Sequence, residues 1–161
     1  MDADARLLVA CLDLTSLGDR DETLTIDALC DRAVAPAPRD PTLRVAAVCV
    51  LPRFVPRARG ALEGTGVRVA CATGGFPDAA SDLGDRLDEV RAAVRDGADE
   101  VDVVVNRRLA ADAAALHTEL EAMRSAAGAA TWKAILETGA LAPDELPVVS
   151  DVHFETKEEA C

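Results

Sequence analysis

The chain has 161 residues, 50% of them hydrophobic, and a formal net charge of −12. The length suits one domain with a real core, and the acidity excludes nonspecific binding to nucleic acid or to an anionic membrane surface, which needs basic charge. With three Phe, one Trp and no Tyr, the core must come from small and branched aliphatics, which suits helices on strands better than a β-sandwich.

Along the chain, apolar runs of strand length alternate with amphipathic segments. The first run is Ala10 to Leu17. Thr25 then caps a helix carrying Ile26, Leu29, Cys30 and Ala33, and the proline-rich piece from Ala35 to Pro41 is a stiff loop. The second run, Arg44 to Leu51, leads into a short helix after Pro52, with Phe54, Val55, Ala58 and Leu62 as its apolar stripe. The third run is Val67 to Thr73. Behind it Leu83, Leu87, Val90 and Val94 recur at helical spacing, with Asp82 and Arg86 four apart on the outer face and Gly97 as the stop. The fourth run, Glu100 to Val105, precedes a core-facing stripe of Leu109, Ala113, Leu116, Leu120, Met123 and Ala127. The fifth run is Thr131 to Glu137.

This alternation implies a parallel sheet with right-handed crossovers. Two closures fit five βα units: an open doubly wound sheet, or part of a (β/α)8 barrel. No GxGxxG or Walker pattern follows any run, and Gly74-Gly75 is too little for a phosphate cradle, which leaves nucleotide binding without support. Cysteines 11, 30, 49, 71 and 161 form no CxxC pair, and His117 and His153 lack ligand spacing, so no metal is expected. The acidic start from Met1 to Arg6 does not read as a secretory signal, and no apolar run reaches the ~18 residues of a membrane span. Reduced thiols in a cytoplasmic protein are the resulting expectation.

The fourth run raises a chemical question, because it sets Asp102 among Val101, Val103, Val104 and Val105. Burying an unpaired carboxylate costs roughly several kcal/mol. Strand alternation puts Val101, Val103 and Val105 on one face and Asp102 with Val104 on the other. In the fifth run, Trp132, Ala134 and Leu136 share a face, and Lys133, Ile135 and Glu137 the opposite one. If both polar faces point inward, Asp102 and Lys133 meet across adjacent strands and the carboxylate gains a cation. Asp13 and Thr15 on the first strand would face the same interior, while Cys49 on the second shares its face with Val45 and Ala47. The alternative is a solvated strand entrance of Asp99, Glu100 and Asp102, with Lys133 snorkelling from an edge.

Five segments in one order resemble the deoxyribose-phosphate aldolase family of class I aldolases. They are Asp13-Leu14-Thr15-Ser16-Leu17, the piece from Val45 to Arg53, Gly74-Gly75-Phe76-Pro77, the piece from Gly97 to Arg107, and Lys133-Ala134-Ile135-Leu136-Glu137-Thr138-Gly139. The likeness covers about residues 10 to 145. It implies a (β/α)8 barrel and a reversible, metal-free cleavage of 2-deoxyribose 5-phosphate to acetaldehyde and glyceraldehyde 3-phosphate through a lysine Schiff base. It makes Asp102 the proton-transfer residue, Lys133 the lysine beside it, and Asp13, Thr15 and Cys49 lining residues of the substrate pocket. The implied partner is a small phosphorylated sugar or aldehyde, with no cofactor.

The family's Schiff-base motif, of the type Lys-Thr-Ser-Thr-Gly, is not found: the two lysines are Lys133 and Lys157, the latter among Glu155, Glu158 and Glu159. A (β/α)8 barrel needs about 250 residues. The expectation is therefore a partial barrel of about five βα units over residues 1–151, a polar tail at 152–161, and a polypeptide inactive alone. Three readings stay open: a truncated product, one half of a split barrel completed by a second chain, or a noncatalytic binding or assembly module. An exposed sheet edge would favour a homo-oligomer or a complementing chain.

Overall fold

A computed structural model describes residues 2–37 and 40–143. The tail expected at 152–161, with His153 and Lys157, lies outside the described residues. Five strands form one parallel sheet: β1 Asp13–Ser16, β2 Ala47–Val50, β3 Arg68–Thr73, β4 Glu100–Val104 and β5 Thr131–Ile135. Their spatial order is their chain order. The helices are α1 Ala3–Ala10, α2 Thr23–Val34, α3 Val55–Leu62, α4 Leu83–Arg95 and α5 Ala113–Ala127. The four between strands supply the crossovers that parallel neighbours require.

The outward face of the sheet carries the main core. Val48, Val50, Val69, Cys71, Val101 and Val103 pack against Ile26, Val55, Ala58, Val90 and Met123 from the helices. Burying one such Val or Ile side chain contributes about 1.5–3 kcal/mol. Trp132 and Ala134 of β5 rest on Leu116 and Leu120 of α5. The inward face holds smaller groups, Ala47, Cys49, Ala70 and Ala72, with Leu17 and Phe76 against them.

The sheet is strongly curled. Four interstrand steps would put β1 roughly 19 Å from β5 if the sheet were flat. Yet Asp13 Oδ2 of β1 lies 3.0 Å from Lys133 Nζ of β5. Side chains of the two edge strands thus meet over a concave inner face. This is the arc of a (β/α) barrel, and it decides against the open doubly wound sheet.

Several element boundaries differ from those the sequence suggests. The first run is split: its start ends a helix, α1, whose Asp2 side chain accepts a hydrogen bond from the Ala5 N–H at 2.8 Å. None of the residues of α1 is buried, so apolar periodicity gave no sign of it. Helix α2 begins at Thr23 after Glu22, ahead of the expected Thr25 cap. Strand β5 stops at Ile135 because Glu137 takes a left-handed backbone, φ 51°. Leu109 belongs to a short 3-10 turn ahead of α5.

The larger correction concerns Arg86, expected on the outer face of α4. It is 1% exposed. Its Nε donates to the Gly74 carbonyl at 2.7 Å, one terminal nitrogen to the Val104 carbonyl at 2.8 Å, and the other pairs with Glu119 of α5 at 2.5 Å. The carbonyls beyond β3 and at the end of β4 need donors there, and a guanidinium supplies several in a fixed fork.

Candidate active site

Strand β4 positions the central carboxylate. Its valines face the helices, so Glu100, Asp102 and Val104 face inward. Asp102 is in register with Ala72 of β3 on one side and Lys133 of β5 on the other. Lys133 Nζ lies 3.1 Å from Asp102 Oδ1, 2.9 Å from Glu100 Oε2 and 3.0 Å from Asp13 Oδ2. An ammonium has three N–H donors, and three carboxylates surround this one.

Asp102 also meets β2. Cys49 Sγ lies 3.7 Å from Asp102 Oδ2, across the intervening β3. That approach needs β3 to carry small side chains on this face, and Ala70 and Ala72 satisfy the need. Thr15 occupies the inner face of β1, in register with Cys49, but among the described residues its hydroxyl bonds only locally, to the Asp13 carbonyl at 3.3 Å. The structure therefore brings Asp13, Cys49, Asp102 and Lys133 into one contact network and places Thr15 at its margin.

Two members escaped the sequence reading. Glu100, side chain 4% exposed, forms the base of the cluster, and Arg68 Nε of β3 lies at ion-pair distance, 2.7 Å, from its other oxygen. Alternation carried the signal for Glu100, which stands two residues before Asp102 and so shares its face. The solvated strand entrance is overturned at this residue by its burial. Arg68 gave no such signal, since it opens its strand where solvent is the usual surrounding.

The cluster of Asp13, Glu100, Asp102 and Lys133 holds three acids and one base, with Arg68 as a second cation. The titrations follow from that excess. Burial raises the Asp102 carboxyl above the ordinary aspartate range, Lys133 opposes, and repulsion from Asp13 and Glu100 adds to the rise. Burial alone would lower the Lys133 ammonium, but its hydrogen bonds to Glu100 and Asp13 and its attraction to Asp102 prevail, and it stays well above the ordinary lysine range. Burial pushes the Cys49 thiol up to about 12, reinforced by Asp102 and opposed by Lys133. The set is an acid held above its ordinary range beside a fixed cation.

A cleft of about 670 Å³ opens at the C-terminal ends of β1 to β3, lined by Leu17, Gly18, Arg53, Ala72, Phe76 and Glu89 among others. Its walls include none of the four charged cluster residues. It adjoins them through Ala72, the register partner of Asp102.

A curled parallel β/α sheet with titratable groups on its inner face defines a protein of the β/α-barrel class. The sequence matches the DeoC/LacD family aldolase description over residues 7–148, and the chain belongs to that family. It is 41% identical to deoxyribose-phosphate aldolase of Bos taurus over 146 residues, 83% of this chain and 46% of the relative. It is 40% identical to the Homo sapiens enzyme over the same shares. A crystal structure of a putative deoxyribose-phosphate aldolase from Coccidioides immitis superposes with a TM-score of 0.81 at 29% identity, over 92% of this chain and 56% of that one. The chain thus spans about half the length of the curated relatives it matches.

Proposed function

We propose that these residues form the proton-transfer side of a class I aldolase site. The substrate would be 2-deoxyribose 5-phosphate, cleaved reversibly to acetaldehyde and glyceraldehyde 3-phosphate through a Schiff base. The observation that carries this reading is the 3.1 Å contact of Lys133 with the half-buried Asp102 inside an acid-rich cluster. A carboxyl that burial lifts above the ordinary aspartate range holds its proton more readily, and can give and take one as the carbinolamine dehydrates and the enamine forms. Lys133 offers no lone pair: it is protonated, and carboxylates engage it on three sides. Its role is electrostatic, to moderate the charge that Asp102 develops when ionised. Asp13, Cys49 and Thr15 line the approach.

The Schiff-base amine must then come from outside residues 2–37 and 40–143, whose single lysine is Lys133. A homo-oligomer or a complementing chain could complete the barrel, since β1 and β5 each pair on one edge among the described residues. A cytoplasmic setting accords with the free thiols of Cys11, Cys30, Cys49 and Cys71.

Borohydride reduction of the purified chain with deoxyribose 5-phosphate or acetaldehyde, followed by intact mass and peptide mapping, tests this. No adduct is expected on Lys133. A stable adduct there would make it the nucleophile and overturn the assignment. If deoxyribose 5-phosphate instead binds in calorimetry without trapping, and Asp102→Asn leaves that binding unchanged, the noncatalytic reading takes over.

A further inference from the structure

Among the inward groups, Glu100 has no part in the proton transfer just described, yet it is the most buried carboxylate of the cluster. One oxygen lies 2.9 Å from Lys133 Nζ and the other 2.7 Å from Arg68 Nε. Both oxygens thus lie within ion-pair distance of a cation, the compensation that a carboxylate sequestered to this degree needs. Its two partners differ in exposure: Arg68 is 54% exposed and the Lys133 side chain 39%. Glu100 is therefore the fixed point, anchored on the backbone of a central strand, from which the longer and freer Lys133 is aimed at Asp102.

We propose that Glu100 is the positioning residue of this site: clamped by Arg68, it holds Lys133 as a charged, oriented cation against Asp102. This rests on the reading of Asp102 and Lys133 given above and adds a residue to it. Glu100 serves Lys133 by attraction, and its negative charge works against ionisation of Asp102. Removing that charge must move both groups the same way. Lys133 loses an anionic partner and deprotonates more easily; Asp102 loses a repelling neighbour and ionises more easily. A residue that merely filled space would not tie the two shifts together.

Glu100→Gln keeps the shape and removes the charge. Glu100→Asp keeps the charge but withdraws it by one methylene. With both variants and the parent chain, two quantities are read across pH, neither needing turnover: the rate of reductive methylation of Lys133 by formaldehyde, from peptide masses, and the Asp102 titration from carbon-13 aspartate labelling, assigned with Asp102→Asn. The expected result for Glu100→Gln is a methylation rate about tenfold higher at mildly alkaline pH, equivalent to one pKa unit. The midpoint of its pH–rate profile should fall, and the Asp102 midpoint should fall with it. Glu100→Asp should lie between. Three identical profiles, a change in plateau rate without a change in midpoint, or an upward move of Asp102 would each overturn the proposal. Should Glu100→Gln lose its fold, judged by amide chemical-shift dispersion, Glu100→Asp carries the test, and an unshifted Lys133 midpoint in it overturns the claim. Borohydride trapping reports separately on the aldolase reading, so the two can fail independently.

Discussion

Cys49 shows how far a site can detune a reactive group. Its thiol is buried, sits 3.7 Å from Asp102 and is pushed up to about 12. Cys11 is exposed. At mildly alkaline pH, iodoacetamide is expected to label Cys11 well ahead of Cys49, as read by peptide mass, because only the thiolate attacks. Asp102 contributes to the rise at Cys49. Asp102→Asn is therefore expected to lower the pH midpoint of Cys49 alkylation, and an unchanged midpoint would mean that burial alone sets it. Alternation along a strand made Asp102, Lys133 and Asp13 legible from sequence, since period two assigns a face to each residue, while Cys49 came only from the family resemblance. It could not tell which of several inward groups touch. That depends on curl, on the room left by Ala70 and Ala72, and on side-chain length, which together admit Cys49 to the network and leave Thr15 at its margin.

At the level of elements, Arg86 and Gly74 make the joints between strand ends and helices. Arg86 binds two backbone carbonyls and Glu119, whose other oxygen lies 3.3 Å from Asn106 Nδ2. Arg86→Ala would strand a buried carboxylate and two carbonyls, an expected loss of about 3–5 kcal/mol. Replacing Arg86 and Glu119 together with Met and Leu should cost far less than the two single changes combined. Urea unfolding midpoints check both. Gly74 has φ 71°, and a Cβ there would stand 2.6 Å from Val103 Cγ1. Gly74→Ala is expected to destabilise by about 1–3 kcal/mol, with part recovered when Val103→Ala makes room. The spacing of four between Asp82 and Arg86 suggested a surface pair. Helical periodicity counts apolar residues, and a buried arginine satisfied by backbone carbonyls has no place in that count. Helix α1 escaped for the opposite reason, having an N-terminal cap but no buried stripe.

For the molecule as a whole, the inner cluster links stability to pH. Lys133 is held above its ordinary value of 10.5 in the folded state. Its contribution is therefore fully present below 10.5 and is lost as pH rises through the higher folded value. Lys133→Gln should unfold at lower urea than the parent chain at neutral pH, and the gap should narrow as pH is raised past 10.5. A gap that stays constant with pH would assign the loss to packing of the lysine stem instead.

The strands line up in space as they do in the chain. No strand must be threaded between two that are already paired. Each newly made βα unit can dock on the edge left by the one before it, so the ribosome delivers the pieces in the sequence in which they are laid down, and long searches for distant partners are largely avoided. The contact of Asp13 with Lys133 is the exception, because it waits for the last of the five strands and joins residues 120 apart. The earliest polar residue of the sheet is thus among the last to find its mate, and the emerging chain carries that acid without its cation until the arc has bent far enough to bring the lysine to it.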